Sequence, residues 1–318
     1  MKVRPVYNLE FPSWCPEINI YGYRFTRVDD YEKRFLSLQH LNSVISEFDE
    51  DPNTGTHSIT AFVELPDPYE KGAIFDWSGT DHTALIDILL LLSLFTGREV
   101  FALEEQNSKK IRNSNDVIIA DPRVYQRGGI LRCSIPYKKQ PIEPEPFSFD
   151  IGFEEGINQI YELIRSDEWQ KEYRGGYFLI LAKTAFRRQT LESSFVQCWT
   201  IWEHLFAVLN DRWLSTKQIV TISSVEKISF LLVKFALTGE IDNNSRKKIE
   251  ALAEIRNRLI HFGRFPERET VYDDAILFIH LTEFIIAKTL NLSPSNVFNT
   301  VEKLEKYLEK IQKPSKHT

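Results

Sequence analysis

Between Lys138 and Pro146 the chain reads Lys-Lys-Gln-Pro-Ile-Glu-Pro-Glu-Pro, and this run divides it into two textures. Pro141, Pro144 and Pro146 each fix φ and lack an N–H, so the stretch can continue neither a helix nor a central strand. It is read as an extended, Pro-rich linker over 141–150. Residues 1–140 are expected to form a mixed, β-rich domain and residues 151–318 an all-α antiparallel helical bundle. The expected fold class is therefore α+β, at a length that allows two cores.

In the first half, residues 18–28 place Tyr21, Tyr23 and Phe25 at alternate positions, which suits a half-buried strand. Further strands are expected near 57–65, 72–77, 98–103, 116–120 and 130–137, while 31–48 fits helix or strand. The most apolar run, 84–95, reads as a buried helix too short to cross a bilayer, with Gly97 beyond it and Asp87 as an isolated acid inside it. In the second half, helices are expected near 154–169, 176–190, 191–210, 224–237, 244–262, 270–291 and 295–312. Short connections between long helices imply antiparallel neighbours.

Composition narrows the function classes. A formal charge of −6 excludes a surface that is basic everywhere, so any contact with nucleic acid must be local. Cys15, Cys133 and Cys198 are widely spaced and form no CxxC pair, which removes an obvious zinc site or disulfide framework and fits a reducing cytosol. The N-terminus shows no apolar signal region. No GxGxxG, P-loop or HExxH is present. The expectation is a cytoplasmic protein without cofactor, metal or membrane contact.

The run most suggestive of chemistry is Ile255-Arg256-Asn257-Arg258-Leu259-Ile260-His261-Phe262-Gly263. A guanidinium neutralises phosphate, and an imidazole moves protons near neutral pH. At 100° per residue Leu252, Ile255, Leu259 and Phe262 form one stripe, which should face the core. Arg256 borders that stripe. Asn257 and His261 are four apart and share another face, whereas Arg256 and His261 diverge by roughly 140° on an ideal helix. One straight helix cannot easily aim both at one phosphate. Either the helix ends near His261, as Gly263 suggests, or a second subunit completes the site across a two-fold axis. Between Arg246 and Arg268 seven bases (Arg246, Lys247, Lys248, Arg256, Arg258, Arg264, Arg268) face three acids (Glu250, Glu254, Glu267), a focused positive segment.

This run resembles the RNxxxH form of the R-x(4–6)-H signature of HEPN domains, and most closely that of the Apea-like HEPN subgroup. The motif ends in His-Phe-Gly on a late helix, followed by the helix near 272–292. Upstream, Ser194–Phe206 is similar to the helix that carries an acidic residue near the Arg in such domains. The resemblance covers roughly 155–312. It implies metal-independent RNA cleavage by 2′-OH attack, leaving a 2′,3′-cyclic phosphate, in a defence or toxin-type system. His261 would be the general acid/base, Arg256 would stabilise transition-state charge, and Asn257 would orient His261 or bind a phosphate oxygen. Glu203 would hold Arg256 in a bidentate pair. Arg258 and Arg264 would contact flanking phosphates, with Lys247 and Lys248 as further RNA-binding residues. A homodimer through the bundle is expected, with a regulatory protein or antitoxin in control.

Each assignment has a plainer alternative. Arg256 with Glu203 would serve equally as a structural ion pair, and His261 as a helix-terminal cation. His204 and His280 read as packing residues. Trp199, Trp202 and Trp213 read as core or dimer interface rather than base-stacking groups. The competing function is a non-catalytic HEPN protein that binds RNA or nucleotide or scaffolds a larger complex.

Overall fold

The computed structural model describes residues 2–11, 15–32, 34, 59–66, 84–96, 100–102, 153–186, 191–292 and 301–302. The linker 141–150 and the strands expected near 72–77, 116–120 and 130–137 lie outside the described residues, as do nearly all of the helix expected at 295–312 and most of 31–48. The described residues combine a small antiparallel sheet with helices, so the chain is α+β. It divides into two compact units.

Among the described residues the first unit holds five strands: β1 (Lys2–Tyr7), β2 (Glu17–Ile20), β3 (Tyr23–Arg27), β4 (Ile59–Leu65) and β5 (Phe101–Ala102). Their order is β2-β3-β4-β1-β5, with antiparallel pairing throughout. The period-2 pattern decides which face is covered: Ile18, Ile20, Tyr23, Phe25, Ala61, Val63 and Leu65 are buried. On the opposite face Arg24 and Glu64 stand in register and form a two-pronged pair at 2.9 and 2.5 Å.

One local expectation is corrected here. Residues 18–28 are a hairpin rather than one strand, because Tyr21 (φ 50°) and Gly22 (φ 81°) both take the left-handed backbone of a tight turn. Tyr21 is exposed, while Tyr23 and Phe25 enter the core. β1 is not among the expected strands, and it contains Pro5, a residue disfavoured in central strands. Pro5 stands opposite Phe62 of β4, and among the described residues β5 pairs with Val6 and Tyr7.

The unit also contains α1 (Ala84–Thr96), in which Asp87 is fully buried and not without a partner. The first turns of α2 (Phe153–Arg165), through Glu162, also belong to it. Asn158 shows how α2 joins the sheet. Its Oδ1 accepts the Tyr21 N–H at 2.8 Å and its Nδ2 donates to the Asn19 carbonyl at 2.9 Å, in the manner of a neighbouring strand. Among the described residues no helix is long and apolar enough to cross a membrane.

The second unit contains α3 (Asp167–Tyr173), α4 (Gly175–Phe186), α5 (Leu191–Asn210), α6 (Thr216–Thr221), α7 (Ser224–Lys234), α8 (Asn243–Phe262) and α9 (Val271–Thr289). The single helix expected at 154–169 is broken at Ser166. That residue takes an extended backbone, and its Oγ accepts the Trp169 N–H at 3.2 Å, starting α3.

Helix α5 is the centre of the unit, with α4, α7, α8 and α9 packed on it. Phe195, Trp199 and Trp202 meet Phe278 of α9 at ring distances of 5.1, 5.1 and 5.2 Å. The buried Trp202 indole donates to Thr282 Oγ1 at 2.9 Å, which satisfies its N–H inside an apolar contact. Trp199 and Trp202 are thus core residues, whereas Trp213 is 69% exposed in the turn before α6. That turn leads into a short helix started by the Ser215–Gln218 capping box and burying no residue.

The two secondary histidines both engage other groups of the protein. His204 lies over Phe178 with Nε2 3.0 Å from the Tyr173 carbonyl. Burial, with Arg174 nearby, holds its pKa below the usual histidine range, against a smaller opposing effect of that carbonyl contact. His280 Nδ1 lies 2.8 Å from Glu283 Oε2, and Glu283 is almost fully buried.

Candidate functional site

Helix α8 carries the Arg-Asn-x3-His run and begins and ends where its local chemistry dictates. Asp242 caps it, with Oδ1 accepting the Ser245 N–H at 2.7 Å, a bond that also draws the Asp242 carboxyl below the usual range. Gly263 closes it in the left-handed conformation at φ 69°, donating its N–H to the Leu259 carbonyl at 3.0 Å. Ile249, Leu252, Ile255 and Leu259 form the buried stripe. Phe262, expected on that stripe, is instead 64% exposed. It sits at the stripe's edge in the last turn, and the Arg258 guanidinium lies 5.0 Å from its ring centre.

The opposite side of α8 borders an open groove of about 330 Å³ lined by Val225 of α7 and by Glu250, Ala253, Glu254, Asn257, Arg258, His261 and Phe262. Asn257 and His261 share this face, as their four-residue spacing requires. Arg258, one turn before Phe262, joins them. Arg256 does not line the groove: it is half-buried, and its Nη1 donates to Asn257 Oδ1 at 3.0 Å. Arg256 Nε is buried without a hydrogen-bond partner.

The expected Arg256–Glu203 pair is not formed. Glu203 Oε2 accepts from Lys227 Nζ at 2.5 Å, and Glu203 Oε1 accepts from Ser224 Oγ at 3.2 Å. Lys227 is buried and needs an anion more than the half-buried Arg256 does. Glu203 therefore fastens the first turn of α7 to α5. This partner escaped the sequence reading because Lys227 lies 24 residues away on another helix, where no periodicity connects the two.

The remaining basic residues divide by position. Lys247 precedes His261 by 14 residues, about 21 Å along an α-helix, and Lys248 by nearly as much. Neither lines the groove. Arg264 follows the helix and faces Glu267 at 3.8 Å. The positive segment is also weaker in space than in sequence. Arg246 pairs with Glu226 at 2.6 Å and Arg268 with Asp274 at 2.5 Å, which adds two acids from α7 and α9 to the three of the segment. Glu250 and Glu254, which line the groove, lie 3.5 Å from Arg246 and 3.9 Å from Arg268. The groove thus offers a donor amide, a guanidinium and an imidazole at one end, and two partly neutralised carboxylates further along.

Among the described residues no cluster of three His, Cys, Asp or Glu could hold a metal ion. Family models, curated proteins and solved structures yield no match to this chain.

Proposed function

We propose that the chain is a HEPN-type endoribonuclease of the Apea-like kind, acting without a metal in a defence or toxin-type system. The observation that carries the reading is the juxtaposition of Asn257, Arg258 and His261 on one open groove at the end of α8. An exposed imidazole beside a guanidinium and a carboxamide supplies proton transfer and oxyanion binding together. His261 takes the proton from a ribose 2′-OH as that oxygen attacks the adjacent phosphorus, or returns a proton to the departing 5′-oxygen. The phosphorus–5′-oxygen bond breaks, and a 2′,3′-cyclic phosphate and a free 5′-OH result. Asn257 and Arg258 hold the non-bridging oxygens.

One imidazole cannot serve both oxygens at once, so the working unit is a homodimer that brings two copies of α8 together. Ile260, Phe262 and Tyr272, which are 50%, 64% and 58% exposed near this end of the unit, supply apolar surface for that contact. A protein partner or antitoxin restrains the activity in the cytoplasm. The alternative is a non-catalytic HEPN protein that binds RNA or nucleotide or scaffolds a complex; Glu250 and Glu254, whose carboxylates disfavour a long RNA track along the groove, favour its scaffolding form.

Incubating the purified chain with RNA in EDTA tests the proposal. The expected result is cyclic-phosphate ends, seen by mass spectrometry, that disappear in His261→Ala with the fold intact. Cleavage that EDTA abolishes, or that His261→Ala leaves unchanged, overturns it. RNA that binds but is never cut supports the alternative.

A further inference from the structure

Arg256 is the most conspicuous residue of the run, yet it lies off the groove. Its contacts are also unusual for a cation. No carboxylate pairs with it among the described residues, its Nε is buried without an acceptor, and its single hydrogen bond goes to the side chain of the next residue. Arg256 is half-buried and presents a donor to the exposed side chain of Asn257.

That donor settles an ambiguity in Asn257. A carboxamide has an acceptor end and a donor end of nearly equal size, and only its hydrogen bonds decide which way it points. Arg256 has donors alone, so it accepts only the Oδ1 orientation, and the 3.0 Å bond holds that oxygen. Asn257 lines the groove beside Arg258 and His261, and its Nδ2, with two N–H donors, is the end that Arg256 does not engage. With the carboxamide reversed, an oxygen would face the groove and repel a phosphate oxygen.

We propose that Arg256 is a positioning residue: it acts through Asn257, locking the carboxamide so that the groove presents an N–H pair to an oxyanion of the phosphodiester class. The assignment rests on the ribonuclease reading for its substrate, but the lock itself does not depend on cleavage. It reverses the expectation that Arg256 meets the phosphate directly.

Two measurements test it. In a cleavage assay, Arg256→Met and Asn257→Ala should each lower kcat by about tenfold, with little change in KM or in the pH profile. The double variant should be no worse than Asn257→Ala alone, since a residue acting only through Asn257 has nothing left to position. Arg256→Lys, which retains a donor, should recover part of the loss. Losses that multiply in the double variant would mean that Arg256 touches the substrate itself, and would overturn the proposal.

If no RNA is cut, the ribonuclease reading fails, and side-chain amide NMR decides the lock separately. The Asn257 Nδ2 resonances, identified by their loss in Asn257→Ala, should shift on titration with inorganic phosphate. In Arg256→Met, which has no donor, with its melting curve unchanged, they should move toward free-amide positions and respond at least several-fold more weakly. Resonances and response that survive Arg256→Met unaltered overturn the proposal.

Discussion

Replacing Glu203 by Ala tests the corrected ion pair more sharply than any change at the groove. The substitution leaves the Lys227 ammonium, whose side chain is only 9% exposed, without its carboxylate. Breaking a fully buried pair from one side costs about 3–5 kcal/mol, because an uncompensated charge remains. The Glu203 side chain is 32% exposed, so water reaches the site and the expected loss falls to the lower end, about 3 kcal/mol.

The reciprocal change behaves differently. Lys227→Met leaves Glu203 with access to water and with the Ser224 hydroxyl still within reach, and should cost about 1 kcal/mol. Urea unfolding with a common slope reads both numbers, and a double-mutant cycle isolates the coupling between the two residues. If Lys227→Met proves as damaging as Glu203→Ala, the desolvation argument is wrong. If Glu203 couples to Arg256 and not to Lys227, the pairing itself is wrong.

Gly175→Ala should destabilise the second unit by about 2 kcal/mol, within the usual cost of overpacking. The added methyl would come within 1.8 Å of the Trp169 ring, which is anchored through its indole N–H to the Thr289 carbonyl at 2.8 Å. Helix preference, worth less than about 1 kcal/mol at this first position of α4, favours alanine, so a variant with a higher melting point refutes the packing argument. His204 should make the fold acid-sensitive. Its folded pKa lies below the unfolded value of 6.5, so the unfolded chain binds the proton more readily. The contribution is intact above pH 6.5 and is lost as pH falls through and below that value. Urea midpoints at pH 7.5 and 5.5 should therefore fall further for the parent than for His204→Gln, and equal losses would remove His204 as the cause.

What the chain states locally, it states reliably. The bounds of α8 are legible because Asp242 and Gly263 act on their own neighbours, through a cap and a left-handed turn. The common face of Asn257 and His261, and the divergence of Arg256 from it, follow from helical period alone. The apolar run 84–95 is a helix as its length and unbroken apolar character lead one to expect. Where a short-range competitor intervened, the reading failed: the Ser166 hydroxyl divided an expected helix, and the Tyr21–Gly22 turn folded an expected strand into a hairpin.

The partners of charged groups are a different matter. Glu203 meets Lys227 rather than Arg256 because the packing of α5 against α7 brings a buried ammonium to it, and burial sets which cation most needs the carboxylate. Glu226 and Asp274 weaken the positive segment by the same kind of contact. Phe262 stays in water because α8 ends in that turn, at the edge of its stripe. By itself, then, the sequence determined the helix, its ends and the residues that share its outer face, all of which depend on bonds a few residues long. Tertiary structure alone decided which charges are satisfied and which face is left open, because both depend on what other helices bring into reach.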